Sequence, residues 1–98
     1  MLNLNLDYLA ATQAYTYKQV LAAVIEVISD VTGNTRVTES TRLSDLNLDS
    51  LDKTEIAVNI EEKFGVTQTI PDSVYEKIPE TATVKELALY VTNLLNHR

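Results

Sequence analysis

Apolar residues recur at intervals of three and four along three stretches of the chain, which predicts three long amphipathic helices. The first stretch runs from about Tyr17 to Thr32, the second from about Ser50 to Phe64, and the third begins near Thr83. The apolar stripe of the first helix consists of Leu21, Val24 or Ile25, Ile28 and Val31, widened by Val20 and Val27. That of the second consists of Ile56, Ala57, Ile60 and Phe64, with Leu51 and Val58 alongside. That of the third consists of Val84, Leu87, Ala88, Val91, Leu94 and Leu95. Packing these stripes together would form one core.

Local signals mark where the helices begin and end. Gly33 can adopt the left-handed conformation that ends the first helix. Thr83 and Glu86 have the spacing of a capping box at the start of the last one. The second helix has Asp49 as its predicted N-cap.

A fourth, short helix is predicted after Pro71, because proline is favoured at the first helical position. Val74 and Ile78 would share one face of this helix, and Pro79 would end it. The predicted fold is therefore an all-α, four-helix up-down bundle with three longer helices and one short helix. A long loop, residues 34–48, joins the first two helices.

This long loop carries enough apolar residues to be held against the bundle. Ser44, Asp45 and Leu46 are expected to form one helical turn within it. The anchoring side chains would be Val37, Leu43, Leu46 and Leu48. A loop held in this way can present Ser50 at the surface in a fixed position.

Residues 1–16 are predicted to be an N-terminal extension of a domain that covers residues 17–98. Leu2, Leu4 and Leu6 alternate with polar residues as in a strand, whereas Leu2, Leu6 and Leu9 have helical spacing. The extension is interpreted as a tail or an extra helical turn. The alternative is a segment that recruits a specific enzyme.

Composition restricts the classes of function. Ninety-eight residues suffice for one modest core. A net charge of −6 disfavours nucleic acid as a partner and suits docking on basic surfaces of other proteins. Without any cysteine, disulfides, thiolate metal sites and a cysteine nucleophile are excluded. There is no apolar run of transmembrane length and no basic N-terminal signal, so we expect a cytoplasmic protein.

The stretch from Leu46 to Asp52 is where the loop meets the second helix. With Asp49 as N-cap, Ser50 becomes the first helical residue and Asp52 the third. A helix N-terminus favours anions, so a phosphate ester on Ser50 would be tolerated there, although the two aspartates oppose it.

This stretch and the segments that follow it resemble the acyl carrier proteins over roughly Tyr17 to Leu95. The matching segments are Leu43–Asp52, Thr54–Ala57, Ile60–Gly65, Ile70–Asp72 and Thr83–Leu87. The resemblance implies that Ser50 carries a 4'-phosphopantetheine arm, and that a phosphopantetheinyl transferase recognises Asp49 and Leu51. The thiol of the arm would hold acyl groups as thioesters for fatty-acid, polyketide or related lipid biosynthesis. The protein itself would have no catalytic residues.

The resemblance also implies a recognition face on the second helix. Its acids would meet basic docking patches on acyl-transferring, condensing or synthase enzymes, and the carrier would be a monomer. The predicted docking residues are Asp52, Glu55, Glu61 and Glu62. Lys53 interrupts this acidic patch near Ser50. Together with the extension and Asn59, it suggests a specialised carrier with its own partners.

An acyl-binding cavity is a further implication of the resemblance. Its candidate lining residues are Val58, Ile60, Val74, Ile78 and Leu87, and the alternative is that they form an ordinary core. Asn59 replaces the small apolar residue that is more common in the family. It is interpreted as an edge position that water reaches, with a polar group beside the acyl cavity as the alternative.

Parts of the sequence suggest three other functions. A serine hydrolase needs a base near the serine, but His97 is the single histidine and no G-x-S-x-G motif surrounds Ser50. A calcium loop would use Asp45, Asn47 and Asp49, but Ile56 stands where the bidentate glutamate belongs, and no metal site is expected. The remaining alternative is a small helical module that binds partners and is never modified.

Overall fold

The computed structural model describes residues 15–66, 70 and 78–96. Within these residues the chain forms three α-helices: α1 (Tyr17–Thr32), α2 (Ser50–Lys63) and α3 (Val84–Asn96). A 3-10 turn, Leu43–Leu46, lies in the loop between α1 and α2. The described residues include no strand, only an isolated antiparallel bridge between Arg42 and Thr83. This confirms the predicted all-helical class.

The short fourth helix lies outside the described residues. It was predicted to begin at Pro71, and Val74 belongs to the same segment. The same holds for residues 1–14 of the N-terminal extension. Both assignments stay predictions.

The ends of α1 follow from local sequence. Thr16 is the N-cap, where its side-chain oxygen accepts a hydrogen bond from the amide of Gln19 at 3.2 Å. The Gln19 side chain accepts one from the amide of Thr16 at 3.1 Å, which completes a capping box. Gly33 ends the helix at φ 74°, a left-handed conformation that glycine adopts without strain. The predicted bounds of this helix are confirmed.

The core forms where α1 packs against both α2 and α3. On α1, the buried residues are Val20, Val24, Val27 and Ile28. The predicted stripe was centred one position away, because Leu21, Ile25 and Val31 are only partly buried at its edge. Because α1 packs against two helices, its buried face is broader than the apolar stripe in the sequence, and the centre of that face lies at a different position.

The loop between α1 and α2 is held in place by the segment that precedes α3. The amide of Leu43 donates to the carbonyl of Ala82, and that of Ser44 to the carbonyl of Glu80, both at 2.9 Å. Its side chains Val37, Leu43 and Leu46 are buried in the core. The predicted anchoring and the helical turn at residues 44–46 are thereby confirmed, and the loop delivers Ser50 from a fixed position.

The C-terminal end of α2 has contacts of its own. Lys63 donates a hydrogen bond to Glu26 of α1 at 2.8 Å, which raises the pKa of the lysine. Beside it, the rings of Tyr15 and Phe64 meet edge to face, with centroids 5.3 Å apart. Tyr15 precedes α1, so the chain enters the domain at the end of α2 that lies farthest from Ser50.

Candidate functional site

Ser50 is exposed and is the first residue of α2. Asp49 is the N-cap, and its carboxylate accepts a hydrogen bond from the amide of Asp52 at 2.8 Å. The Asp52 carboxylate accepts one in return from the amide of Asp49 at 3.2 Å. The structure thus confirms the predicted placement of all three residues.

Ser50 does not itself cap the helix, because Asp49 is the N-cap. Because Asp49 caps the helix, a substituent on the Ser50 oxygen would cost α2 no cap. The two neighbouring carboxylates each accept an amide hydrogen bond of the first turn, which compensates part of their charge. A phosphate ester on Ser50 would still feel both anions, as the sequence indicated.

The cap itself can be tested by substitution. We expect Asp49→Ala to lower the free energy of unfolding by about 1 kcal/mol, because it removes the acceptor for the Asp52 amide. Asp49→Asn should retain most of the stability, since its side-chain oxygen can accept the same hydrogen bond. Urea unfolding followed by circular dichroism measures the difference. Equal losses in the two variants would contradict a capping role.

The two apolar residues that were placed beside the inward face of α2 are in fact exposed. Leu51 is 68% exposed and Val58 is 45% exposed, so both face solvent. They lie two turns apart on one side of the helix, because seven residues nearly complete two turns. Val58 therefore does not share the core with Ile60 and Leu87, and its candidacy as an acyl-cavity residue is not supported by this placement.

Glu61 is the second correction. It was assigned to the solvent-facing acidic patch, but it is only 9% exposed. One of its carboxylate oxygens accepts a hydrogen bond from the buried amide of Ile70 at 2.7 Å. The side chain therefore turns inward and fixes the chain after α2. Glu55 and Glu62 are exposed and Asp52 is partly so, which leaves three acids on the predicted docking face.

The remaining acyl-cavity candidates are distributed between core and surface cavity. Ile60 and Leu87 are fully buried in the packed interior. Ile78 is buried as well, but it also lines the cavity described next. Asn59 is partly buried, as an edge position would be.

A cavity of about 320 Å³ opens near the start of α2. It lies between the loop, the first turn of α2 and the segment before α3. Of the described residues, those that line it are Leu43, Ser44, Asn47, Leu48, Lys53, Ile78 and Glu80. At the rim, the Lys53 ammonium lies 3.7 Å from a carboxylate oxygen of Glu80. Sequence reasoning missed Ser44, Asn47 and Glu80, because they meet only in the folded chain.

The described residues add no support for the calcium-binding or serine-hydrolase alternatives. Among residues 15–66, 70 and 78–96, no group of three or more His, Cys, Asp or Glu side chains could hold a metal ion. His97, on which the hydrolase alternative depends, lies outside the described residues.

Comparisons with known proteins place the chain in a family. The family described as "Phosphopantetheine attachment site" matches residues 22–91. The chain is 42% identical to an acyl carrier protein of Helicobacter hepaticus, over 78% of this chain and 92% of that protein. It is 38% identical to a meromycolate extension acyl carrier protein of Mycolicibacterium smegmatis, over 83% of this chain and 80% of that protein. A plant relative, the mitochondrial acyl carrier protein 3 of Arabidopsis thaliana, is 41% identical over 74% of this chain and 54% of its own.

The chain belongs to the acyl carrier protein family. The comparisons confirm the acyl carrier function in lipid biosynthesis that the resemblance implied, with a covalently attached 4'-phosphopantetheine. The protein is a carrier and not an enzyme. No solved structure matches the chain significantly. None of the helices in the described ranges is long and apolar enough to cross a membrane.

Proposed function

We propose that Ser50 is the residue that carries the 4'-phosphopantetheine arm. The main support is the position of Ser50, which is exposed as the first residue of α2. Asp49 caps this end of the helix, and backbone hydrogen bonds hold the loop that precedes it in place. An enzyme that modifies the hydroxyl can approach it from solvent. The attachment point also keeps a fixed position relative to the exposed side of α2.

The residues around Ser50 fit this group. The helix N-terminus presents partial positive charge to a phosphodiester, which offsets part of the repulsion from Asp49 and Asp52. The arm, when attached, supplies the thiol on which acyl groups are held as thioesters, and the chain has no cysteine of its own that could do so. Asp49 and Leu51 flank the serine and are the residues that we expect the phosphopantetheinyl transferase to recognise.

The exposed side of α2 is the proposed docking face. We define the docking face as Leu51, Asp52, Glu55, Val58 and Glu62. Its acids attract basic patches on acyl-transferring, condensing or synthase enzymes and set encounter rate and partner choice. Leu51 and Val58 add exposed apolar area that a partner can cover. Glu61 is not part of this face because its carboxylate is occupied by the Ile70 amide.

Mass spectrometry of the loading reaction tests the attachment. We expect the full chain to gain the mass of one phosphopantetheine when it is incubated with coenzyme A and a broad-specificity transferase. Peptide mapping should place the gain on Ser50. A reaction without coenzyme A is the control. Absence of a mass gain would favour the alternative of an unmodified partner-binding module, and a gain on another serine would contradict the assignment of Ser50.

The pathway is proposed more broadly, as fatty-acid, polyketide or related lipid synthesis by a monomeric, cytoplasmic carrier. Relatives of similar identity include both plain acyl carrier proteins and carriers named for meromycolate extension. The Lys53 that interrupts the acidic face and the partly buried Asn59 support a specialised carrier. Residues 1–16 stay proposed as a tail or an extra helical turn, with recruitment of a specific enzyme as the alternative.

A further inference from the structure

The two lysines of α2 each pair with an acid from another part of the chain, one near each end of the helix. At the C-terminal end, Lys63 donates a hydrogen bond to Glu26 at 2.8 Å. Near the N-terminal end, the Lys53 ammonium lies 3.7 Å from a carboxylate oxygen of Glu80, which is too far for a hydrogen bond. The Glu80 side chain is also 76% exposed, so its carboxylate remains open to solvent.

Although its side chain is exposed, the backbone of Glu80 is fixed next to the loop that precedes α2. Its carbonyl accepts a hydrogen bond from the amide of Ser44 at 2.9 Å. Its carboxylate approaches Lys53, which follows Ser50 by three residues and therefore lies on the adjacent turn of the helix. Glu80 thus presents a carboxylate at a defined place near the start of α2.

Glu80 differs from the two acids of the first helical turn. Asp49 and Asp52 each accept an amide hydrogen bond within that turn. In the part of the chain that the structure describes, the Glu80 carboxylate accepts no hydrogen bond, so its oxygens can accept hydrogen bonds from an incoming cation. It also lies outside the docking face, because it lines the cavity near the start of α2, and none of the five docking-face residues does so.

The donor of the arm determines what charge an incoming enzyme carries. Coenzyme A is an anion through its phosphates, and proteins hold phosphates with arginine and lysine side chains. A transferase that brings this donor to the Ser50 hydroxyl therefore has cationic groups around its active site. An exposed carboxylate near the acceptor serine complements such a surface.

We propose that Glu80 is a docking residue for the phosphopantetheinyl transferase, on a side of α2 that the docking face does not include. This inference rests on the proposed attachment at Ser50. Lys53 stays paired with Glu80 and keeps its carboxylate beside the start of the helix. The contact is specific to loading, because enzymes that act on the thiol at the far end of the arm need not approach the Ser50 hydroxyl itself.

Steady-state kinetics of loading test the proposal, with the full-length chain, coenzyme A and a broad-specificity transferase. We expect Glu80→Gln to lower kcat/KM for the carrier by about threefold, the size expected from one exposed ion pair. Glu80→Lys replaces attraction by repulsion and should lower it by about tenfold. Both losses should shrink when the salt concentration is raised from about 0.1 M to about 1 M, because salt screens exposed charges. Circular dichroism checks that the variants are folded.

A charge swap separates docking from a merely structural role of the ion pair. The double variant Lys53→Glu with Glu80→Lys keeps the pair but reverses its polarity. It should still load at least about threefold more slowly than the unaltered chain, because the carboxylate moves from a side chain that is 76% exposed to one that is 31% exposed.

Glu26→Lys is the matched control, because it makes the same change of charge in the other ion pair of α2. Its partner Lys63 lies about 20 Å along the helix from Ser50, which exceeds the Debye length of about 10 Å at 0.1 M salt. The substitution should therefore change kcat/KM by less than about twofold.

The outcomes distinguish this inference from the attachment on which it rests. Full loading rates in the charge-swap variant, or equal kcat/KM for Glu80→Lys and Glu26→Lys, would overturn the docking role of Glu80 and leave the attachment at Ser50 standing. If the unaltered chain gains no mass, or gains it on another serine, the attachment is overturned and the docking role with it.

Discussion

Ser50→Ala is expected to abolish the attachment of phosphopantetheine completely while leaving the fold unchanged. The substitution removes the single oxygen on which the phosphodiester would form. It should change the free energy of unfolding by less than about 0.5 kcal/mol, because the side chain is exposed and Asp49 supplies the cap. Alanine is also favoured in helices. Intact-mass measurement after incubation with coenzyme A and a transferase gives the result.

The matched control for this substitution is Ser40→Ala. Ser40 is exposed in the loop that leads to α2 and lacks the helix start that distinguishes Ser50. This variant should gain the same mass as the unaltered chain. A remaining mass gain in the Ser50→Ala protein, with its circular dichroism spectrum unchanged, would mean that another residue carries the arm.

The features that sequence predicts well are those fixed by neighbouring residues. The cap at Asp49 and the helix end at Gly33 each depend on groups within a few positions along the chain. The capping box of Thr83 and Glu86 is equally local. The amide of Thr83 donates to the Glu86 carboxylate, and the amide of Glu86 donates to the Thr83 hydroxyl oxygen. Because Ser50 sits at such a local feature, its position and exposure followed from the sequence.

The features that sequence missed depend on residues far apart in the chain. The cavity requires Lys53 to meet Glu80, and no periodic pattern predicts that contact. The same limit applies to the faces of α2, where Leu51 and Val58 were placed toward the core. Their apolar character alone did not reveal that the helix buries a narrow stripe and leaves both exposed. Exposed apolar residues of this kind are consistent with a surface that partners cover.

Glu61 shows most clearly the difference between features set by neighbouring residues and features set by distant ones, because its neighbours in sequence suggest a solvated acid. Glu62 beside it is exposed, and both follow the apolar Ile60. Only the return of the chain brings the amide of Ile70 to within 2.7 Å of the Glu61 carboxylate. A buried amide that loses its acceptor destabilises the fold by about 1–3 kcal/mol. The charged side chain is thus retained in the interior by a backbone group nine residues away.

We therefore expect Glu61→Ala to lower the free energy of unfolding by about 2 kcal/mol, because it leaves the Ile70 amide buried without its acceptor. Glu62→Ala is the control, and as a surface substitution it should change stability by less than about 0.5 kcal/mol. Glu61→Gln keeps an oxygen at the same position and should recover at least half of the loss. Urea unfolding followed by circular dichroism measures all three.

The comparison among these variants separates hydrogen bonding from charge. If Glu61 acted only as one more acid on a negatively charged surface, removing it would relieve repulsion, and Glu61→Gln would be as stable as the unaltered chain or more so. The hydrogen bond to Ile70 predicts the opposite order, with the unaltered chain most stable, glutamine intermediate and alanine least. Equal stability of Glu61→Ala and Glu62→Ala would contradict the inward placement of Glu61 and return it to the docking face.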